Sequence, residues 1–436
     1  MCARNRHYPE TGQDIAGHTD RAVLVGVDRA ETDWPVEESL AELERLAHTA
    51  GAEVVASVTQ RLDKPNPRTF IGAGKAEEVA AIAHDTDANL VVLDDELSPR
   101  QQVNIEDLLP ETRVMDRTAL ILDIFALHAT SREGKLQVEL AQLEYMLPRL
   151  RGMWGHLDRE RLGGGRGTLF GAGESQLEVD RRMARKRIAS LKRELKHVSG
   201  ERKLQRKRRA RSGVFRISLV GYTNAGKSTL LNALTGEHVL AEDMLFATLD
   251  STTRRLALQE GRELTLTDTV GFIHKLPHGL VEAFKSTLDE VAEADLLLHV
   301  ADASTPQREA QMQAVREVLH EIDAHRTPAL VVFNKIDLLS AEECSQLARR
   351  YPNAVMLSAA TRTGLDALLE RIADEGARDS VTLTLLVPYT RGDLVKLAHE
   401  RTHLVSEKHT AEGTALVIRT PRSLAGAFAE FTIEQD

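Results

Sequence analysis

Residues 214–234 read VFRISLVGYTNAGKSTLLNAL, in which Gly221 and Gly226 are followed by Lys227 and Ser228. An apolar run precedes this pattern and a helical pattern follows it, which is the context that a phosphate-binding loop needs. The glycines let consecutive backbone amides face phosphate oxygens, and the N-terminus of the next helix favours an anion. The stretch therefore predicts a parallel α/β unit that binds a nucleoside triphosphate, with Lys227 at the β- and γ-phosphates and Ser228 as a Mg²⁺ ligand.

A second motif, LTLTDTVGF (264–272), predicts a strand that ends on Asp268. At that position Asp268 can hold Mg²⁺ through a water molecule, while the amide of Gly271 can meet the γ-phosphate and sense its loss. Taken alone, residues 268–271 fit an ordinary turn at a strand end equally well.

The third motif, ALVVFNKID (329–337), concerns the base. Asp337 can accept paired hydrogen bonds from N1–H and the exocyclic amine of guanine, a pattern that adenine lacks. We expect Asn334 to brace the base and the phosphate loop, and the aliphatic stem of Lys335 to cover the ring face. The motif therefore predicts guanine rather than adenine specificity.

A fourth motif, VMLSAATRTG (355–364), places Ser358, Ala359 and Ala360 after another strand, where a backbone amide can meet guanine O6. By itself this tripeptide is better interpreted as a plain loop. Its interpretation as a guanine contact depends on its position after the other three motifs.

The stretch MLFATLDSTTRR (244–255) must supply the switch threonine that closes over Mg²⁺ and the γ-phosphate. Thr248 is the preferred candidate, while Thr252 and Thr253 are alternatives that spacing alone does not exclude.

Together the motifs predict a GTP site with Lys227, Thr248 and Gly271 in catalysis and with Ser228, Thr248 and Asp268 around Mg²⁺. The predicted nucleotide contacts are Gly221, Tyr222, Thr223, Asn224, Ala225, Gly226, Lys227, Ser228, Thr229, Phe246, Ala247, Thr248, Leu249, Asp250, Asp268, Thr269, Val270, Gly271, Asn334, Lys335, Ile336, Asp337, Ser358, Ala359 and Ala360.

Phe272 stands where a GTP-hydrolysing switch loop often carries a glutamine that orients the attacking water. An apolar side chain cannot hydrogen-bond that water, so unassisted hydrolysis should be slow even when GTP binds well. The missing function must come from a partner or a bound ion.

Strand-like runs at 21–27, 52–58 and 89–95 alternate with helical patterns, which predicts a small α/β domain over 21–115 after a disordered leader over 1–20. Within it, FIGAGKAEE (70–78) has the wrong spacing for a second phosphate loop and is better read as a turn and helix start, with an adenine-nucleotide site as a weaker alternative.

A helical hairpin is predicted over 116–211, with one arm carrying Leu136, Leu140, Leu143 and Leu147 on a single stripe. The second arm should begin near Glu174, and GGGRGTLFGAG (163–173) forms the tip because its glycines disfavour helix. A GTPase domain over 212–377 with a parallel sheet and a short α+β domain over 378–436 complete the predicted fold.

Composition limits the alternatives. The net charge is −10, but lysine and arginine greatly outnumber acidic residues from Arg181 to Arg211, which suits a polyanionic partner. A solvated helix face is the plain alternative for this run. Cys2 and Cys344 are too few for a disulfide framework or a zinc site, and no run is long enough to span a membrane, so a cytosolic protein is expected. A monomer is the expected oligomeric state.

The chain resembles the HflX family, within the translation-factor-related class of GTPases that also includes the Era and Obg groups. The stretches that carry this resemblance are NPRTFIGAGKAEEV (66–79), GESQLEVDRR (173–182), LFATLDSTTR (245–254) and DTVGFIHKLPHGLVEAFKSTL (268–288). They cover the N-terminal, helical and GTPase regions.

The resemblance implies a GTPase that binds the ribosome, chiefly the large subunit and its rRNA, and that separates stalled ribosomes into subunits. It also implies that the glycine-rich tip points towards the peptidyl-transferase region, although GRGTLF is an insertion relative to the expected pattern and a flexible connector is an equal alternative. Asn224 resembles the asparagine that coordinates K⁺ in related GTPases, where the ion replaces an arginine finger. A ribosome-assembly or RNA-maturation GTPase, a P-loop ATPase or kinase, and a passive RNA-binding scaffold are the other hypotheses.

Overall fold

The structure, a computed structural model, describes residues 19–29, 34–109, 112–150, 172–210, 214–236, 244–246, 248–257, 263–277, 280, 284–378 and 380–433. The predicted leader, apart from its last two residues, and residues 163–171 of the glycine-rich tip lie outside them. The described residues fall into two compact units, the first within Met1–Lys196, Asp243–Asp250 and His274–Phe284, and the second within His197–Glu242, Ser251–Ile273 and Lys285–Asp436.

The first unit contains a parallel sheet of order β2-β1-β3-β4. Its strands are β1 (Arg21–Asp28), β2 (Glu53–Arg61), β3 (Leu90–Leu93) and β4 (Arg113–Asp116). The helices between and after them are α1 (Val36–Thr49), α2 (Ala73–Asp85), α3 (Pro99–Glu106) and α4 (Arg117–His128). β1 is buried along both faces because it is central and covered by helices, as parallel strands usually are. The FIGAGKAEE stretch forms a turn and the start of α2.

Two further helices follow, α5 (Arg132–Met146) and α6 (Ala172–Ala210). Leu136 and Leu140 of α5 pack against Leu191 of α6, with Leu143, Ile188 and Leu195 around them. The leucine stripe predicted for the first arm therefore forms the contact between the two arms. α6 begins at Ala172, two residues before the predicted start at Glu174.

The second unit holds a sheet of order β10-β9-β8-β5-β7-β6, in which only β6 among the described strands runs antiparallel to its neighbour. Its strands are β5 (Phe215–Gly221), β6 (Thr252–Ala257), β7 (Glu263–Asp268), β8 (Leu296–Asp302), β9 (Ala329–Asn334) and β10 (Val355–Met356). Its helices are α7 (Lys227–Thr235), α8 (Lys285–Ala292), α9 (Arg308–Glu321), α10 (Ala341–Arg350) and α11 (Leu365–Arg378).

A separate antiparallel sheet of order β11-β13-β12 ends the described chain. It comprises β11 (Ser380–Val387), α12 (Gly392–Arg401), β12 (His403–His409), β13 (Thr414–Pro421) and the short α13 (Arg422–Ala425). The predicted fold class is confirmed, since a mostly parallel α/β sheet is preceded by a small α/β sheet and paired helices and followed by a short α+β segment. The five-part domain division stays a prediction.

Candidate nucleotide site

The predicted phosphate-binding loop joins β5 to α7 in the second unit. Gly226 has φ 88°, and a Cβ placed there would lie 2.2 Å from Nδ2 of Asn334, so only glycine fits. Asn224 also has a left-handed φ of 57°, which asparagine tolerates better than most residues. The loop between Gly221 and Lys227 therefore adopts the strained geometry that turns backbone amides towards an anion.

Lys227 is buried, and its Nζ donates to the carbonyl oxygens of Gly221 at 3.2 Å and Tyr222 at 2.8 Å. Burial lowers the pKa of Lys227 to about 8, while the negative charge of Asp268 acts in the opposite direction. A buried ammonium whose hydrogen-bond partners among the described residues are carbonyl oxygens gains strongly from an anion, so the geometry suits a phosphate.

Asp268 ends β7, as predicted, and is almost fully buried. The hydroxyl of Ser228 donates to Oδ2 of Asp268 at 2.6 Å. A hydroxyl oxygen and a carboxylate oxygen beside a phosphate loop are the hard donors that Mg²⁺ prefers, so this pair fits that ion.

Gly271 and Phe272 lie against the phosphate loop through the backbone. Phe272 donates from its amide to the carbonyl oxygen of Gly221 at 3.1 Å, and its own carbonyl accepts from the amide of Thr223 at 2.7 Å. A Cβ at Gly271 would lie 2.8 Å from Cγ2 of Thr223 and 3.2 Å from Nζ of Lys227, which explains the glycine. The Phe272 ring is fully buried, so it packs in the interior and offers no polar group to a water molecule.

Asn334 connects two loops of the site. Its Nδ2 donates to the carbonyl oxygen of Ala225 at 2.9 Å, and its Oδ1 accepts from the amide of Ala359 at 2.9 Å. The amide of Ser358 donates to the carbonyl oxygen of Thr363. Because the amides of Ser358 and Ala359 have these partners, Ala360, which is exposed, is the member of the predicted tripeptide suited to meet guanine O6.

Asp337 is exposed in the short 3₁₀ turn Ile336–Leu338, and Lys335 precedes it with φ 64°. Nζ of Lys335 pairs with Oδ2 of Asp302 at 2.8 Å, a contact that the sequence reasoning missed. The signal was present, because Asp302 ends β8 beside the strand that ends on Asn334. This pair holds the Lys335 side chain in place.

The three candidate switch threonines belong to different units. Thr248 lies in the first unit, whereas Thr252 and Thr253 lie in β6 of the second, where Oγ1 of Thr253 is 3.0 Å from Oγ1 of Thr267. Strand pairing with β7 fixes the backbone of Thr252 and Thr253. Ala247 lies outside the described residues.

Three other predicted nucleotide contacts have side chains that are buried or hydrogen-bonded within the first unit. Phe246 and Leu249 are buried, and the carboxylate of Asp250 accepts hydrogen bonds from Thr130 and Ser131. Sequence spacing could not reveal this, so a nucleotide contact from these residues would have to come from the backbone.

Three family models match the chain in succession. They are described as GTP-binding GTPase N-terminal over residues 37–126, GTP-binding GTPase middle region over 128–209, and 50S ribosome-binding GTPase over 216–335. The GTPase HflX of Caldanaerobacter subterraneus subsp. tengcongensis is 47% identical over 404 residues, covering 93% of this chain and 92% of the relative. The GTPase HflX of Escherichia coli K12 is 45% identical over 387 residues, covering 88% and 90%.

The chain belongs to the HflX family of GTPases. The resemblance seen in the sequence motifs is thereby confirmed. A solved structure of a GTP-binding protein from Sulfolobus solfataricus in complex with GDP is similar at 28% identity and a TM-score of 0.42, covering 82% of this HflX chain and 98% of that protein. Within the described residues of the HflX chain, no helix is long and apolar enough to cross a membrane.

Proposed function

We propose that this HflX protein binds the large ribosomal subunit in its GTP form, dissociates stalled or stressed ribosomes, and uses GTP hydrolysis to leave. The observation that carries GTP binding is the Asn334 bridge, which ties the phosphate loop to the loop of Ala359 through two hydrogen bonds. That bridge fixes the spacing between the triphosphate and base positions, and Asp337 then selects guanine.

In this proposal Lys227 exchanges its two carbonyl partners for phosphate oxygens, and the amide of Gly271 meets the γ-phosphate. Ser228, Asp268 and Thr248 would hold Mg²⁺, whose charge offsets that of the phosphates when it is bound. The hydroxyl of Ser228 and the carboxylate of Asp268 already lie 2.6 Å apart, so little rearrangement of these two side chains is needed.

Hydrolysis needs help because Phe272 is buried and apolar. We propose that the ribosome supplies it by ordering the switch segments, and that K⁺ held by Asn224 is a second source. Replacing potassium by sodium in the assay tests the ion, since an unchanged rate would remove it from the proposal.

The ribosomal partner is supported by the family description and by charge. Arg182, Arg185, Lys186, Arg193 and Lys196 are exposed on α6. Cations along one helix suit successive RNA phosphates, and each phosphate contact adds to the salt dependence of binding. We also propose a cytosolic monomer with the five-part domain division given above, and an RNA-contacting tip at 163–173.

The test is GTP turnover with and without purified large subunits, in potassium buffer. We expect strong stimulation, reduced when Arg185 and Lys186 are both changed to Glu, with a salt slope of binding lower by about one per lost phosphate contact. Arg349→Glu, an exposed charge reversal on α10, is the matched control and should behave as wild type.

A ribosome-assembly or RNA-maturation GTPase without splitting activity is the alternative within the family. Sucrose-gradient profiles of intact ribosomes with a non-hydrolysable GTP analogue separate the two. Conversion of intact ribosomes into subunits supports splitting, whereas binding without conversion would favour the alternative.

A further inference from the structure

Residues 244–250 are here called the switch segment, and its described residues, 244–246 and 248–250, have contacts within the first unit on either side of Thr248. The amide of Leu245 donates to Oγ1 of Thr49 at 3.3 Å. The buried ring of Phe246 meets Phe125 edge-on, with 4.7 Å between ring centroids. Leu249 is also buried. These contacts restrict the positions that Thr248 can take.

Asp250 provides the polar part of this attachment. Its carboxylate accepts from the amide of Thr130 at 3.0 Å, from Oγ1 of Thr130 at 2.7 Å, from the amide of Ser131 at 2.7 Å, and from Oγ of Ser131. Burial opposes the charge of Asp250, but the hydrogen bonds from Ser131 and Thr130 outweigh it and lower the pKa of this carboxyl. The carboxylate is therefore charged at neutral pH and firmly held.

The attachment point is the start of α5. Ser131 is the N-cap of that helix, and its Oγ accepts from the amide of Gly134 at 2.9 Å. An anion at a helix N-terminus is stabilised by the unpaired amides and by the helix dipole. Asp250, which is 119 positions after Ser131 in the chain, thus acts as a second cap of α5.

Gly134 gives independent support. Glycine in a helix costs about 1 kcal/mol relative to alanine, so its use in the first turns of α5 needs a reason. A Cβ at Gly134 would lie 2.6 Å from Oδ1 of Asp250, which is too close for any real contact. The glycine therefore leaves room for the carboxylate.

α5 is also the first arm of the helix pair. Beyond the leucine contact with α6, Glu139 pairs with Arg187 at 2.6 Å and Glu144 pairs with Lys192 at 2.8 Å. These contacts join α5 to the described part of α6 in the first unit, so they connect the exposed cations of α6 to the helix whose N-terminus holds Asp250.

We infer that Asp250 is a positioning residue for GTP hydrolysis: the N-terminus of α5 holds its carboxylate, and RNA docking on the helix pair is thereby transmitted to Thr248, two residues away. This inference rests on the proposed function. In this inference the helix pair not only binds RNA but also fixes the position of Thr248.

Gly134→Ala tests this inference without changing the amino-acid sequence of the switch segment. The added methyl displaces the Asp250 carboxylate, so we expect large-subunit stimulation of kcat to fall at least about tenfold, within the usual range of coupling between sites. Affinity for large subunits and turnover without them should match wild type. Gly200→Ala on α6, where a Cβ would meet nothing within 4 Å, is the matched control and should retain full stimulation.

A second variant, Asp250→Ala, removes the carboxylate without crowding α5 and covers the case in which Gly134→Ala folds poorly. It should lose the same stimulation, and combining the two changes should cost no more than either alone, since both remove one contact. In Gly134→Ala, a loss confined to the stimulated kcat, with unchanged affinity for large subunits, is a result that general destabilisation of the helix would not give.

Equal stimulation of wild type, Gly134→Ala and Asp250→Ala would overturn this inference and leave the proposed function standing. Wild type that binds large subunits without any stimulation would overturn both. Additive losses in the double variant would also count against a shared contact.

Discussion

Replacing Asn334 by alanine tests whether the bridge between the two loops of the site prepares it for the nucleotide. The change removes the donor to the carbonyl oxygen of Ala225 and the acceptor for the amide of Ala359, both 2.9 Å bonds in a buried setting. An unpaired buried backbone group costs about 1–3 kcal/mol. The loops can avoid this cost only by moving to reach water, and nucleotide binding must then restore their positions.

We therefore expect Asn334→Ala to weaken GTP and GDP binding by about 1–3 kcal/mol, or about 5- to 150-fold. Titration with a fluorescent guanine nucleotide measures this, and Asn353→Ala, an exposed asparagine in the same unit, is the matched control. Both nucleotides should lose affinity alike, because the bridge does not involve the γ-phosphate. Wild-type affinity in Asn334→Ala would refute the argument that this bridge preorganises the site.

Three further outcomes are expected. Asp337→Asn should lower GTP affinity at least about 100-fold, because the N–H groups of guanine lose their carboxylate acceptor. The same change should improve binding of xanthosine triphosphate, because its carbonyl can accept a hydrogen bond from the new amide. Competition binding measures both effects. Arg117→Met should destabilise the first unit by about 3–5 kcal/mol in urea unfolding, because Glu42 and Asp94, both ion-paired to Arg117, would stay buried with less compensation. Burial lowers the pKa of His299 to about 4, with Arg316 and Lys227 adding to the effect. Since the unfolded chain then binds more protons than the folded one, the free energy of unfolding decreases as the pH falls from about 6.5 towards 4. His299→Gln should reduce the loss of this free energy between pH 7 and 5 by about 2 kcal/mol. The same loss in His299→Gln and wild type would contradict this prediction.

Much of the fold and of the candidate site could be predicted because the relevant chemistry is local in the chain. The phosphate loop depends on consecutive backbone amides between Gly221 and Lys227, and Asp268 ends its strand as its motif indicated. The leucine stripe of α5 also follows from helical periodicity, because residues three and four apart share a face. In each case neighbouring residues alone set the geometry.

Side-chain commitments across long separations could not be predicted in this way. Asp250 stood among the predicted nucleotide contacts, yet its carboxylate is bound by residues about 120 positions earlier. Likewise, the amide of Ala359 is taken by Asn334, which moves the expected O6 contact to Ala360. Spacing gives the order of such residues along the chain but not the direction in which each side chain points.

The sequence alone determined that this chain has a guanine-nucleotide site on a parallel sheet and that it belongs to the HflX family, because short motifs encode strand ends, tight turns and donor patterns directly. The tertiary structure decided which of the candidate groups are already engaged. Asn334 joins two loops, Phe272 is buried in the interior, and Asp250 caps α5. The reason is physical: hydrogen-bond partners and burial depend on packing between distant segments, and no local pattern specifies that packing.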